Sequence, residues 1–160
     1  MKKEDTLNHS EIFTMWTQLS LNYGFIAANQ SFFKHTRDKD LTKMINEAIQ
    51  CLMDENKKLE QILIMHKMSL PSATAPLPDV QISSITTVAK VNDSEISASL
   101  SMNIATGLVS TSQAMDISTK DYIFKMYGVH HMKKAILGAK LLHLSQRKGW
   151  LPAPATNAAY

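Results

Sequence analysis

Cysteine occurs once, at Cys51, so the chain has no disulfide framework and no cysteine-based zinc site. Charge is sparse as well. Asp, Glu, Lys and Arg make up 19% of residues against 44% hydrophobic, the balance of a folding chain rather than a disordered tail. A net formal charge of +3 is too small an excess to argue for nucleic acid. No apolar run follows the two lysines of the opening MKKEDTLNHSEIF, so it does not read as a secretory signal. One long uncharged stretch, residues 96–115, has about the length of a membrane span. It is crowded with Ser, Thr, Asn and Gln, which suits a covered helix of a soluble protein and not hydrocarbon. The 160 residues suffice for one domain with its own core.

What is present is helical periodicity. Four stretches, residues 8–37, 39–67, 92–118 and 119–148, carry apolar residues at spacings of three and four. The first uses Ile12, Met15, Trp16, Leu19, Tyr23, Ile26 and Phe33; the second, Leu41, Ile45, Ala48, Leu52, Leu59, Ile62 and Leu63. The third uses Leu100, Ile104, Leu108 and Met115, and the fourth Ile123, Met126, Tyr127, Leu137, Leu141 and Leu144. Two-residue alternation is confined to a weak candidate strand over 80–91. The expected fold class is all-α.

A repeat organises these helices. Asn8-His9-Ser10-Glu11-Ile12 opens the first and Asn92-Asp93-Ser94-Glu95-Ile96 the third, each with an Asn N-cap and a Glu three places on, the pattern of a capping box. Lys39-Asp40 is answered by Lys120-Asp121, and Lys67-Met68-Ser69-Leu70-Pro71 by Lys148-Gly149-Trp150-Leu151-Pro152, at one common offset. Three motifs in the same order predict a duplicated helical hairpin. Tight joints near Asp38 and Thr119 make the partners within each hairpin antiparallel. Between the hairpins, Pro71, Pro76 and Pro78 open a connector. A helix of about 28 residues is ~42 Å long, and an extended connector of about 22 residues reaches ~70 Å. It can run the length of the bundle, so the sequence predicts one domain: hairpin 8–67, crossover 68–91, hairpin 92–148 and tail 149–160, a ferritin-like four-helix bundle.

The repeated hairpins, the Trp of the first helix (Glu11-Ile12…Trp16) and the helix end Lys148-Gly149-Trp150-Leu151-Pro152 resemble the Coat F group, ferritin-like bundle proteins related to bacterial spore coat protein F. The resemblance spans nearly the whole chain, and its motifs are structural rather than catalytic. It implies a protein of a Bacillus-type spore-former, made in the cytoplasm and associated with sporulation and the spore coat.

A ferritin-like bundle raises the question of a di-iron centre, which needs a Glu from each of two helices and a Glu-x-x-His from each of the other two. Helix 1 has no acid between Glu11 and Asp38, helix 3 none between Glu95 and Asp116, helix 4 none after Asp121, and Glu-x-x-His occurs nowhere. No metal, cofactor or catalytic residue is expected. Instead, Glu55 and Asn56 fall on the apolar face of helix 2, and His130 and Lys134 on that of helix 4, level with one another at the helix midpoints. The expectation is a central polar cluster of Glu55, Asn56, His130 and Lys134, with Asn22 or Tyr23, in which the ammonium supplies the charge that a metal supplies elsewhere.

Other candidates carry less. His130 and His131 are neighbours pointing ~100° apart on a helix, poorly placed to chelate together. Met65-His66-Lys67-Met68 and Met126 with His130 offer soft ligands for Cu(I), but ten methionines read more simply as core filler. Cys51 has no identifiable base beside it.

Charge is uneven: residues 120–160 hold seven bases and one acid. Lys133, Lys140 and Arg147 form a stripe, read as pairing with acids of helix 2 rather than with nucleic acid, since no interleaved aromatics accompany it. Helix 3 has an uncharged outer face, and charge depletion marks interface centres, so a homodimer through helix 3 is expected. The function expected is that of a non-enzymatic structural or interaction protein with spore coat partners. The alternative is a small-ligand or transition-metal-binding bundle using the polar cluster.

Overall fold

The structure, a computed structural model, describes residues 6–73 and 91–151. These form four helices, α1 (His9–His35), α2 (Lys39–Met65), α3 (Asp93–Asp116) and α4 (Asp121–Arg147), with no strand among the described residues. The candidate strand over 80–91 (its last residue excepted), Pro76, Pro78 and the tail beyond 151 lie outside the described residues.

Both expected capping boxes form. Asn8 Oδ1 accepts from Glu11 N at 2.8 Å while Glu11 Oε2 accepts from Asn8 N at 3.0 Å. Asn92 and Glu95 repeat this at 2.9 and 3.0 Å. The Asp38 carboxylate caps α2 through Asp40 N and Leu41 N, whereas Lys120, its counterpart before α4, has no side-chain cap. At their C-termini α2 and α4 stop on left-handed residues, Lys67 (φ 60°) and Gly149 (φ 68°). Met68 N then donates to Leu63 O and Trp150 N to Ser145 O, both at 2.9 Å, which satisfies orphan carbonyls of the last turn. N-caps Asp38 and Lys120 and left-handed residues Lys67 and Gly149 are therefore the equivalent pairs. The structural repeat runs one residue longer than the Lys-Asp and Lys-x-x-Leu-Pro motifs suggest.

Side-chain bonds fix the directions of the helices. Glu11, near the start of α1, accepts from Thr119 N and Thr119 Oγ1 just before α4, at 2.8 and 2.9 Å. At the other end, Thr36 Oγ1 after α1 donates to Asp93 Oδ1 at the start of α3 (2.7 Å), and Lys148 beyond α4 pairs with Asp38 (2.6 Å). So α1 runs against α3, and α2 against α4, as well as against its partner within each hairpin. The chain leaves α2 at one end of the bundle and enters α3 at the other, which is the ferritin-like crossover.

The core divides into two apolar clusters. One holds Leu41, Ile45, Ile96, Leu100, Leu141 and Leu144; the other Met15, Leu19, Leu59, Leu63, Ile123 and Tyr127. Each such side chain contributes ~1.5–3 kcal/mol when fully buried. In sequence, Glu55 and Asn56 of α2, Gly107 and Thr111 of α3, and His130 and Lys134 of α4 fall between the two clusters.

On α1 the observed inward face differs from the apolar stripe. Trp16 and Phe33 are 39% and 42% exposed, while Gln18, Asn22 and Asn29 are buried. The helix is rotated so that its amides meet the polar layer of α2, because a buried carboxylate needs donors more than the core needs another aromatic.

Candidate functional site

Glu55 and Lys134 meet at the midplane of the bundle, 0% and 3% exposed. Lys134 Nζ donates to Glu55 Oε2 at 2.5 Å. The same oxygen accepts from Asn22 Nδ2 at 3.0 Å. Asn22 Nδ2 also donates to Asn56 Oδ1 at 2.8 Å, and Asn22 Oδ1 accepts from Gln18 Nε2 at 2.8 Å. A continuous buried network thus joins α1, α2 and α4. Helix α3 takes part through an absence: a Cβ on Gly107 would stand 2.8 and 2.9 Å from Lys134 Cε and Cδ, so only glycine lets the lysine stem lie against this backbone.

His130 is buried beside the network, and burial, together with the charges of Lys134 and Lys133, holds its imidazole below its ordinary pKa against the pull of Glu55. It is neutral at neutral pH. Burial, reinforced by the Glu55 charge, drives the Tyr127 phenol well above its usual value and keeps it protonated. Four buried polar atoms have no hydrogen-bond partner among the described residues: Glu55 Oε1, Tyr127 OH, His130 Nδ1 and Asn29 Oδ1. A small cavity of about 20 Å³, lined by Asn29, Cys51 and Lys134 among others, has room for about one water.

Of the residues the sequence singles out, Glu55, Asn56 and Lys134 are joined through Asn22, and His130 lies in the same layer with its Nδ1 unpartnered. Tyr23 is elsewhere. Its hydroxyl donates to Glu60 at 2.8 Å, and burial plus that carboxylate push its pKa up to about 12. His131 diverges from His130 and engages Thr111 Oγ1 at 3.0 Å. Burial raises the Cys51 thiol pKa, the opposite of what a nucleophile needs. Met65, beside His66 at the end of α2, is 66% exposed. Of the basic stripe, Lys133 pairs with Asp54 at 3.3 Å and Lys140 with Glu47 at 2.7 Å, so seven residues on along α4 answers seven back along α2.

Sequence reasoning missed Gln18, Asn29, Tyr127 as a polar group, and Gly107. The α1 residues had a signal: Glu11, Gln18, Asn22 and Asn29 recur at helical spacing on one face. Gly107 had none, since its role depends on what α4 places opposite it.

These residues do not fit a di-iron centre. Glu55 is one carboxylate, and an ammonium already sits on it. Among the described residues no three of His, Cys, Asp or Glu converge as metal ligands.

Two antiparallel helical hairpins, with α2 ending at one end of the bundle and α3 beginning at the other, and an ion pair at the midplane define a ferritin-like bundle with a charge-paired core. The family described as "Protein of unknown function (DUF3231)" matches residues 1–157, and the chain belongs to it. It is 32% identical over 152 residues to the uncharacterized protein YvdQ of Bacillus subtilis (strain 168), covering 95% of this chain and 89% of that one. The crystal structure of a "putative spore coat protein" of Bacillus halodurans C-125 is similar at 39% identity and a TM-score of 0.89, covering 98% of this chain and 99% of the other. A two-domain protein of Anabaena variabilis ATCC 29413, with DJ-1/ThiJ/PfpI-like and ferritin-like domains, aligns at a TM-score of 0.72 and 16% identity. That alignment covers 96% of this chain and 42% of the other, a likeness of fold alone.

Proposed function

We propose that the protein is a non-enzymatic structural and interaction protein of the spore coat type. In this reading it is made in the cytoplasm of a sporulating cell, with spore coat proteins as partners. Its ferritin-like core is built around a fixed ion pair where metal-bearing relatives of the fold hold ions. The observation that carries this reading is Lys134 Nζ at 2.5 Å from Glu55 Oε2, both buried. A cation covalently tied to α4 neutralises the one carboxylate of the midplane and leaves no charge for an exchangeable ion to balance. The 39% identity to a protein named for the spore coat supports the role. Among the described residues no helix is long and apolar enough to cross a membrane. The test is metal analysis of purified protein after incubation with Fe(II), Zn(II) and Cu(I). The expected result is no stoichiometric metal and an unchanged melting temperature. Stoichiometric metal abolished by Glu55→Gln would reverse the reading.

A second reading has its own observation, the unpartnered Glu55 Oε1, Tyr127 OH and His130 Nδ1. A small polar guest bridging them would satisfy all three. Native mass spectrometry showing a retained small molecule, lost in Tyr127→Phe, would favour it.

A further inference from the structure

Helix α3 carries no charged residue between Glu95 and Asp116. Its outward row, Ala98, Ser101, Met102, Ala105 and Val109, is exposed, with Met102 at 69% and Val109 at 58%. The neighbouring flank of α4 continues the surface, since Phe124, Met132, Ala139 and Leu142 are exposed there too. The two helices lie side by side and antiparallel, held by Ser97 Oγ against Ser145 Oγ at 2.8 Å and by Thr111 against His131. Of the α4 lysines, Lys133 and Lys140 are turned to the other flank and engaged by α2, and Lys125, at the N-terminal end of the helix, is neutralised by Asp121 one turn before it. A helix face free of charge over residues 96–115 and bordered by exposed Phe124, Met132 and Leu142 is unusual for a chain that stays alone in water.

We propose that this surface, centred on α3, seats a second copy of the same chain about a twofold axis near Ala105. The inference rests on the structural reading above and names its first partner. Three features favour a copy over another occupant. The first is area: the uncharged run of α3 is ~30 Å long and a pair of packed helices ~20 Å across, giving ~600 Å² against the ~800 Å² that each partner of a standard interface buries. The second is charge. A nucleic acid or a strongly charged protein finds nothing to pair with, whereas two neutral faces meet without like-charge repulsion. The third is self-complementarity. Ala105 lies near the midpoint of α3, so antiparallel apposition there sets Met102 of one protomer opposite Val109 of the other. The small Ala105 between them, with Ala98 and Ser101 before Met102, allows close approach, which is the isologous pattern of twofold dimers.

The test is sedimentation velocity on the full chain at tens of micromolar, with circular dichroism as the check on folding. The wild type sediments as a dimer. Ala105→Glu places two carboxylates beside the axis and weakens the dimer at least tenfold with its melting curve retained. Val109→Glu does the same should Ala105→Glu fail to fold. Met53→Glu, on the charged outer face of α2, leaves the dimer intact. A monomeric wild type, or dissociation unaffected by both α3 variants, overturns the interface. Metal content, which decides the reading of the core, is a separate measurement, so either proposal can fail while the other stands.

Discussion

Lys134 is held at two points: by the Glu55 carboxylate at its tip and by the bare backbone of Gly107 along its stem. Removing one member of a buried pair strands the other charge, which costs far more than removing both. Lys134→Met is therefore expected to lower unfolding stability by ~3–5 kcal/mol. Glu55→Gln on that background, which keeps an acceptor for Asn22, recovers most of the loss. A urea double-mutant cycle measures the coupling, and additive single effects would show that the pair does not act as a unit. Gly107→Ala forces a methyl into the lysine stem, with an expected loss of ~1–3 kcal/mol. Gly24→Ala on α1, where nothing lies within 4 Å of the added carbon, is expected to stabilise by ~0.5–1 kcal/mol. Equal effects at the two glycines in thermal melts would remove Gly107 from the site. Glu55, Asn56, His130 and Lys134 were legible in the sequence because each interrupts an otherwise apolar helical face. Gln18, Asn22 and Asn29 were harder to read, because α1 offers Trp16 and Phe33 as a rival stripe and the choice is made by the carboxylate across the bundle.

At the scale of elements, the N-terminal box of α1 does two jobs. Glu11 closes its own capping box with one oxygen and holds the α3–α4 turn with the other, through Thr119 N and Oγ1. Burial works against its ionisation, but the bonds from Asn8 and Thr119, with the charge of Lys120, outweigh it and hold the carboxyl below its ordinary 4.5. A carboxyl whose pKa is depressed on folding stabilises the fold fully above its unfolded pKa, and that contribution is lost as pH falls through the folded value. Glu11→Gln is therefore expected to cost ~1–2 kcal/mol at neutral pH, from weakened charge-assisted bonds. The gap to wild type should close as pH drops below 4.5, where wild type loses the same ionised contacts. Denaturant curves at a series of pH values measure this, and a gap that stays constant down to strong acid would mean that the charge of Glu11 contributes nothing. The cap itself was plain in Asn8-His9-Ser10-Glu11. Its reach to Thr119 was not, since contact between the two hairpins follows from the crossover and not from local pattern. The same limit explains the repeat: short motifs align best one residue short of the offset set by the caps and left-handed residues.

Over the whole molecule, the charges segregate. The α2 surface and the adjoining flank of α4 carry the ion pairs Lys133–Asp54, Lys140–Glu47 and Lys148 with Asp38 and Asp40, while the uncharged run of α3 carries none and, among the described residues, the outer face of α4 only the Lys125–Asp121 pair of its first turns. The net charge of +3 conceals this division, and it bears on how the protein answers to salt. The side chains of Lys133 with Asp54, and of Lys140 with Glu47, are about half exposed, so each pair contributes only ~0–1 kcal/mol and is open to screening. Raising salt shortens the screening length from ~10 Å at 0.1 M to ~3 Å at 1 M. It does not reach Lys134 and Glu55, which are sealed from solvent. Stability should therefore change by no more than ~2 kcal/mol between those salt concentrations, with the fold carried by the two apolar clusters and the buried pair. Self-association through the uncharged α3 face should not weaken over the same range, and sulfate, which is excluded from protein surfaces, should tighten it. Chemical denaturation with urea, which adds no ionic strength, reads the first quantity, and sedimentation reads the second. A dimer that dissociates as sodium chloride rises would place charged residues at its centre, and so move the interface from α3 to the ion-paired surface of α2 and α4.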